Sequence, residues 1–398
     1  MNFKPLFARS LGAAPERLHF AAHSHHLWPD ASFEGQVECW EDAARLADTK
    51  WDKVMGQVWP EAQAHITKEL GGNDPSTIVF ASNTHDFLIR LQAACPRHSN
   101  GPLRILMSDG EFHSAQRQFA RWTESGDIVL TQVAAEPFDN FPERFLTAAK
   151  AGNYDLILVS QILFNSGRIF ENIHDLAILA RPEGPWVVID GYHAFMAIDV
   201  LIDSAIASSI FYLGGGYKYA MAGEGMGFMH CPPGFGERPP ITGWYAGFGE
   251  LIAPSGSSVG YTRDAMRFMG ATFDPSALYR FNAIQRMLQE NNITTARIAT
   301  RVASLQAQML EAIGKTALSE ANLLNPLNGK PHARFLAFRH QNAQRWCTEL
   351  LARNCITDVR GDVLRVGFGL YHNEEDIEAF AVLAANISKS DCVNQGQK

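Results

Sequence analysis

The chain has 398 residues, 46% hydrophobic, 11% aromatic and 19% charged, which is the composition of a folded protein with room for two cores and excludes a disordered chain. Its 34 Lys plus Arg stand against 42 Asp plus Glu, a formal charge of −8 without a basic block, which argues against nucleic-acid and anionic-membrane surfaces and for small-molecule chemistry. Six scattered cysteines form no C-x-x-C pair, the opening MNFKPLFARSLG lacks the build of a leader, and no run approaches a membrane span, so the expectation is a cytoplasmic, unprocessed protein without a disulfide framework.

In chain order, a helical stretch over roughly 32–70 precedes a series of apolar, β-rich runs: TIVFAS (77–82), RILMS (104–108), DIVLTQV (127–133), DLILVS (155–160), WVVID (186–190), SIFYLG (209–214) and GMGFMH (225–230). Helix-like segments such as PERFLTAAKAG and HDLAILARPEG separate several of them. Strands that are apolar on both faces and alternate with helices predict an α/β fold with a mainly parallel sheet covered on two sides. From about residue 276 the pattern predicts one long helix through SALYRFNAIQ to QMLEAIG, then a smaller α+β domain with strands at ARFLAFRH and DVLRVGF. The polar tail SKSDCVNQGQK reads as frayed.

Ligands on such sheets sit beyond the carboxyl ends of the strands, so those ends hold the candidate residues. WVVID ends in Asp190, a carboxylate at the rim of an apolar core that needs a cationic partner or serves as a cap. His193, three residues on, is placed to brace it or is an ordinary surface histidine. The next run leads into GGGYKYAMAGEGMGF, which sets Lys218 among glycines and aromatic rings. A lysine here is either a snorkelling surface cation or an amine whose pKa is lowered by a cramped, apolar setting until it attacks a carbonyl. The spacing is not that of a Walker loop, and Tyr219 rather than Ser or Thr follows the lysine.

A strand-end Asp followed one strand later by a glycine-framed Lys is what pyridoxal phosphate requires, with the lysine holding the aldehyde and the carboxylate facing the ring nitrogen. With Asp190, His193, Tyr217, Lys218, Tyr219 and the small loop Gly223–Gly227, the chain resembles the class V aminotransferase family of pyridoxal-phosphate enzymes, fold type I, and within it the kynureninase branch. The resemblance implies a large domain (31–275) with a seven-stranded, mainly parallel sheet, an N-terminal extended segment (1–30) reaching the active site, and a linking helix with a small C-terminal domain (276–398). It implies a phosphate turn at Asn83, Thr84 and His85 in ASNTHDF, which opens a helix and suits anion binding or N-capping. Phe112 is implied as the ring that stacks on the cofactor, with His113 as an alternative, and Gln161, Asn165 and Ser166 in QILFNSG as contacts to its hydroxyl and to substrate. Trp244 in GWYAG and Thr272 in GATFDP are implied as cofactor-binding positions, and both point to a homodimer with shared active sites. Arg365 in DVLRVGF is implied to hold the α-carboxylate of an amino-acid substrate, with Arg360 as competitor.

The chain departs from the kynureninase pattern at Gly-Trp-Tyr-Ala, at Asn-Thr-His-Asp and in LHFAAHSHHLWPD, which carries His23, His25 and His26. Alternation in an extended segment points His23 and His25 one way and His26 the other, and His25 and His26 are expected to touch substrate. The expected function is kynureninase-like hydrolytic cleavage through a Lys218 Schiff base, with class V transamination as the alternative. No cysteine stands where a cysteine desulfurase carries its persulfide. A metal-dependent hydrolase built from His23, His25, His113 and His193 with Asp109 and Asp190 is the rival from another class, and the histidine cluster itself is read as holding no metal.

Overall fold

A computed structural model describes residues 2–199, 202–250, 258–329 and 331–387; the tail expected to fray lies outside them. The large sheet takes its strands from the apolar runs: β1 (Ile78–Ala81), β2 (Leu103–Ser108), β3 (Ile128–Val133), β4 (Leu156–Ser160), β5 (Trp186–Asp190), β6 (Ile210–Gly215) and β7 (Gly227–His230). Their order is β1-β7-β6-β5-β4-β2-β3, parallel from β6 to β3, with β7 antiparallel to both of its neighbours. Every residue of β4 to β7 is buried, as a sheet covered on both faces demands, whereas edge strand β3 is mostly half-buried or exposed. The fold type I architecture expected from the sequence is the one observed. Among the described residues no helix is long and apolar enough to cross a membrane.

The helices that position the site are α1 (Asp30–Leu46), α2 (Trp59–Glu69), α3 (Thr84–Ala94), α4 (His113–Glu124), α5 (Phe141–Ala151), α6 (Ser276–Glu290) and α7 (Thr295–Ala312). The single long helix expected from residue 276 onward is two. Asn292 takes a left-handed φ of 52° and the Thr294 side chain accepts from Arg297 N, so the chain stops and restarts between α6 and α7. Apolar periodicity carries through such a break, which is why the pattern concealed it. Helix α6 is fixed to α1 by Tyr279 Oη donating to Asp42 (3.0 Å) and Arg280 Nη1 donating to Gln36 (2.6 Å).

The small sheet has the order β10-β11-β9-β8, from β8 (Asn322–Leu323), β9 (Phe335–Arg339), β10 (Asp358–Arg360) and β11 (Val363–Gly367), all antiparallel. The N-terminal segment differs from the extended run expected of it. Lys4–Phe7 and Ala8–Gly12 are helical, and residues 21–25 form a turn closed by Ser24 N and His25 N donating to Ala21 O, so strand alternation does not govern the histidines.

Candidate active site

Five strands that run in one direction, β1, β2, β4, β5 and β6, deliver side chains or backbone to one cavity of about 560 Å3 beyond their carboxyl ends. Asn83, Thr84, His85, Phe112, His113, Ser160, Ile162, Phe164, Asp190, Tyr192, His193, Tyr217 and Lys218 line it. The glycine that ends β6 is required by packing. A Cβ on Gly215 would stand 2.6 Å from the Tyr192 ring, so only glycine lets the chain pass and turn Lys218 inward. The loop that follows is closed by Gly216 N donating to Met226 O (2.8 Å), and Arg280 of α6 clamps it by donating to Ala222 O (2.7 Å) and Glu224 O (2.6 Å).

Lys218 is half-buried, its amine against His193 Nε2 and the Tyr192 and Phe164 rings 5.3 and 5.6 Å away. Burial, and then the cation of Arg365, lower its pKa to about 7, although Asp190 and Asp358 pull the other way. His193 is held well below its usual value by burial and by Lys218, so it is neutral, and its buried Nδ1 has no hydrogen-bond partner. Asp190 ends β5 between Ser160 and Leu213 and accepts from Tyr192 N (2.9 Å). Burial pushes its carboxyl upward, and the Tyr192 N–H and the Lys218 cation hold it back.

At the end of β1, Asn83 caps α3 by accepting from Asp86 N (3.0 Å), Thr84 is buried, and His85 Nδ1 is buried without a hydrogen-bond partner. A Cβ on Gly227 would lie 2.6 Å from the Asn83 carbonyl carbon, so β7 is pressed against this turn. Phe112 stands at the N-cap of α4, half-buried on the cavity wall.

The structure therefore gathers Lys218, Asp190, His193, Asn83, Thr84, His85, Phe112 and Tyr217 around one space. His25 lies beside it, its ring 5.4 Å from Tyr217. Other candidates lie elsewhere. Both ring nitrogens of buried His26 bond to backbone, at Leu27 O and Leu370 N, which makes it a core histidine away from the cavity wall. The Trp244 ring lies tilted against that of Tyr245 with centroids 4.0 Å apart, Thr272 is exposed, and neither lines the cavity. Ser166 is buried and accepts from Arg168 N, and Gln161 accepts from Tyr212 Oη (2.8 Å). The wall takes the alternate set, Ser160, Ile162 and Phe164, and that two-residue spacing was the signal available in VSQILFN. Sequence reasoning also missed Glu111, a buried carboxyl bonded to Ser108, to Ser160 N and to Ser160 Oγ, which burial raises to about 7. Arg365 is buried behind Phe164, its Nη1 donating to Phe164 O (2.7 Å) and its Nη2 paired with Asp358. Among the described residues no group of three or more His, Cys, Asp or Glu is placed to hold a metal ion.

Solved structures share this fold. An apo cysteine desulfurase from Thermococcus onnurineus NA1 superposes with a TM-score of 0.78 over 97% of this chain and 98% of its own, at 18% identity. A cystine C–S lyase in complex with its product cysteine persulfide gives 0.78 over 95% and 99%, at 16% identity. The fold is that of fold type I pyridoxal-phosphate enzymes. Residues 298–383 match the family model of the kynureninase C-terminal domain. The isopenicillin N epimerase of Streptomyces clavuligerus is 28% identical over 227 residues, 56% of this chain and 54% of that protein. The Amycolatopsis lactamdurans epimerase is 26% identical over 210 residues, 50% and 52% of the two chains. The chain spans about half the length of these curated relatives.

Proposed function

We propose that the protein is a pyridoxal-phosphate enzyme acting on an α-amino acid, with Lys218 as its covalent anchor. The observation that carries this reading is one cavity that brings together the Lys218 amine, a strand-end carboxyl and a helix N-terminus, with the amine lowered to about 7. The residues fit the coenzyme. The first turn of α3 offers N–H groups to a phosphate, Phe112 an aromatic face, Asp190 a carboxylate for a pyridinium nitrogen, and the unpartnered ring nitrogens of His85 and His193 open to hydrogen bonds.

Bound there, the coenzyme supplies an aldehyde and an electron-withdrawing ring that makes the α-hydrogen of an amino acid acidic. Lys218 supplies the free amine, which at its lowered pKa is abundant at neutral pH, and later carries the proton at the substrate's α-carbon. Neutral His193 accepts a hydrogen bond from that amine and orients it. Asp190 would face the ring nitrogen and, ionised, would hold positive charge on that side of the cavity. Arg360 and Arg365, both against the Phe164 ring, supply the positive charge for a substrate carboxylate.

The finer reading is kynureninase-like hydrolytic cleavage, supported by the family model over residues 298–383. Epimerisation is the second reading, favoured by similarity to two isopenicillin N epimerases, and proton transfer by Lys218 serves both. Exposed Thr272 and Trp244 lie off their own cavity wall and would complete the site of a second copy in a homodimer.

The deciding experiment is reconstitution with pyridoxal phosphate, borohydride reduction and mapping of the labelled lysine. Label on Lys218, absent in Lys218→Ala, is expected; label elsewhere with Lys218 unmodified overturns the reading. A panel of amino acids then sorts the chemistry, since alanine release marks the hydrolase, deuterium exchange with inversion the epimerase, and an oxoacid product the transaminase.

A further inference from the structure

Behind the cavity wall, the ends of β2 and β4 are tied together by a carboxyl. Glu111, in the turn between β2 and α4 and only 3% exposed, accepts from Ser108 Oγ (2.5 Å) and from Ser160 N (3.1 Å) at one oxygen, Oε1. Its other oxygen, Oε2, bonds to Ser160 Oγ. Ser160 lines the cavity, and the register of β4 with β5 sets it beside Asp190. We propose that Glu111 is a positioning acid of this site: Oε2 carries a hydrogen bonded to Ser160 Oγ, which frees the Ser160 hydroxyl hydrogen to point into the cavity as a donor to the coenzyme. This rests on the pyridoxal-phosphate reading above.

The bonding pattern places that hydrogen. A hydroxyl both donates and accepts, whereas a backbone N–H only donates. Ser108 Oγ accepts from Gly110 N (3.1 Å) and leaves its own hydrogen for Glu111 Oε1, and Ser160 N donates to the same oxygen, so Oε1 receives two hydrogens and is the carbonyl oxygen of the acid. Oε2 has one partner, a hydroxyl able to accept, and is the oxygen left to carry the hydrogen. Charge gives the reason that it is carried at all. Asp190 has the Tyr192 N–H and the Lys218 cation to hold its negative charge, whereas among the described residues no Lys, Arg or His bonds to Glu111. Strands β2 and β4 bring serines to Glu111, β5 brings the charge of Asp190, and Asp109 of the same turn accepts from Ala135 N (2.7 Å). Two carboxyls in one buried corner, one with a cation and one without, settle with the charge on Asp190 and the proton on Glu111. Burial, with the Asp190 charge added, accordingly raises Glu111 to about 7. Above that pH the order reverses: a carboxylate takes back the Ser160 hydrogen and the cavity loses its donor.

The first test needs no coenzyme. Infrared difference spectra of the unloaded protein at pH 6 are expected to show a protonated-carboxyl band that Glu111→Gln removes and Ser160→Ala moves. The second test is calorimetric binding of pyridoxine 5′-phosphate, which lacks the aldehyde and so does not react with Lys218, from pH 6 to pH 9. Ser160→Ala is expected to weaken binding about tenfold at pH 6, the loss of one buried donor. Glu111→Gln keeps an oxygen for the two donors and an NH2 for Ser160 Oγ, so it is expected to match wild type at pH 6. By pH 9 it is expected to bind more tightly than wild type by about fivefold or more, because wild type has then lost the donor and gained a second carboxylate against an anionic analogue. The ionisations of the analogue and of Lys218 are common to both proteins and cancel in that ratio. A strut that merely joins β2 to β4 changes the melting temperature and gives a ratio level with pH. Absence of the band, a band indifferent to Ser160→Ala, or a level ratio overturns the proposal. Should Glu111→Gln fail to fold, Ser160→Ala decides by itself, through the band and through affinity at pH 6. An analogue that wild type does not bind, with the band present and moved by Ser160→Ala, sinks the proposed function and leaves the Glu111 hydrogen where it is assigned.

Discussion

At the scale of the residue, the chemistry depends on how far burial can move an amine. Lys218 ordinarily titrates near 10.5 and is brought to about 7 by desolvation and by Arg365. Its free-base fraction therefore grows about tenfold per pH unit below 7 and saturates above. The rate of pyridoxal-phosphate uptake is expected to follow that curve, flattening by about pH 8. A rate still climbing between pH 8 and pH 10, measured by stopped-flow absorbance, would show an amine of ordinary basicity. Asp190 makes the complementary prediction. Asp190→Asn keeps the shape and the acceptor for Tyr192 N but removes the charge, so turnover is expected to fall by about a hundredfold or more, with the fold intact by circular dichroism. Asp190 and Lys218 were legible in the sequence because strand ends are short, apolar and punctuated. Asp358 was not, because its meaning lies in a cross-strand pairing with Arg365 that no local pattern displays. Arg365 itself was legible as a charge on an apolar strand, whereas its engagement by Phe164 O depends on a loop 201 residues away in sequence.

At the scale of the element, the seven strands of the large sheet were readable because each is an apolar run bounded by polar or glycine punctuation, and burial on both faces writes itself into composition. Strand order was not readable, since the antiparallel seating of β7 between β1 and β6 is a tertiary choice. The break between α6 and α7 was hidden in a continuous helical pattern, and its start signal is Thr294, whose hydroxyl accepts from Arg297 N at 3.3 Å. Replacing Thr294 with Ala leaves that N–H without its cap and is expected to cost about 1 kcal/mol, whereas Asp at the same place retains most of the stability. Thr300→Ala is the control. Its hydroxyl bonds back to Ala296 O within α7, where it satisfies no orphan donor, so the urea midpoint is expected to move much less. Equal shifts for the two alanine variants would mean that the cap does not hold the restart of the helix. The histidine segment near the N-terminus shows the opposite limit. Alternation is sound for a strand, but residues 21–25 turn, and His26 ended in the core.

At the scale of the whole molecule, the interface between the N-terminal segment and the small domain stores a pH dependence. His19, His23, His26 and His372 are all buried, and burial lowers each from an ordinary 6.5 to about 3. In the unfolded chain they bind protons from about pH 6.5 downward; in the folded protein they do not until about pH 3. Unfolding in that window takes up protons, so stability is fully present above pH 6.5 and is lost progressively as the pH falls toward 3. Glu111, raised to about 7, works in the opposite direction between its ordinary value and 7, because the folded state holds its proton there. Four histidines against one carboxyl leave a net uptake of about three protons near pH 5 from this set of groups. The melting temperature is therefore expected to drop steeply from pH 6.5 to pH 4, with net proton uptake measurable by unfolding calorimetry in buffers of different ionisation enthalpy. His372→Gln is expected to flatten the slope by close to one proton, because His372 Nε2 is buried without a hydrogen-bond partner and its Nδ1 accepts from Gly369 N (2.8 Å), a bond the Gln carbonyl can replace. A melting temperature level across that range, or a slope untouched by His372→Gln in a variant that folds, would mean that these imidazoles find protons in the folded state, and the buried seam would have to be more open than its packing shows.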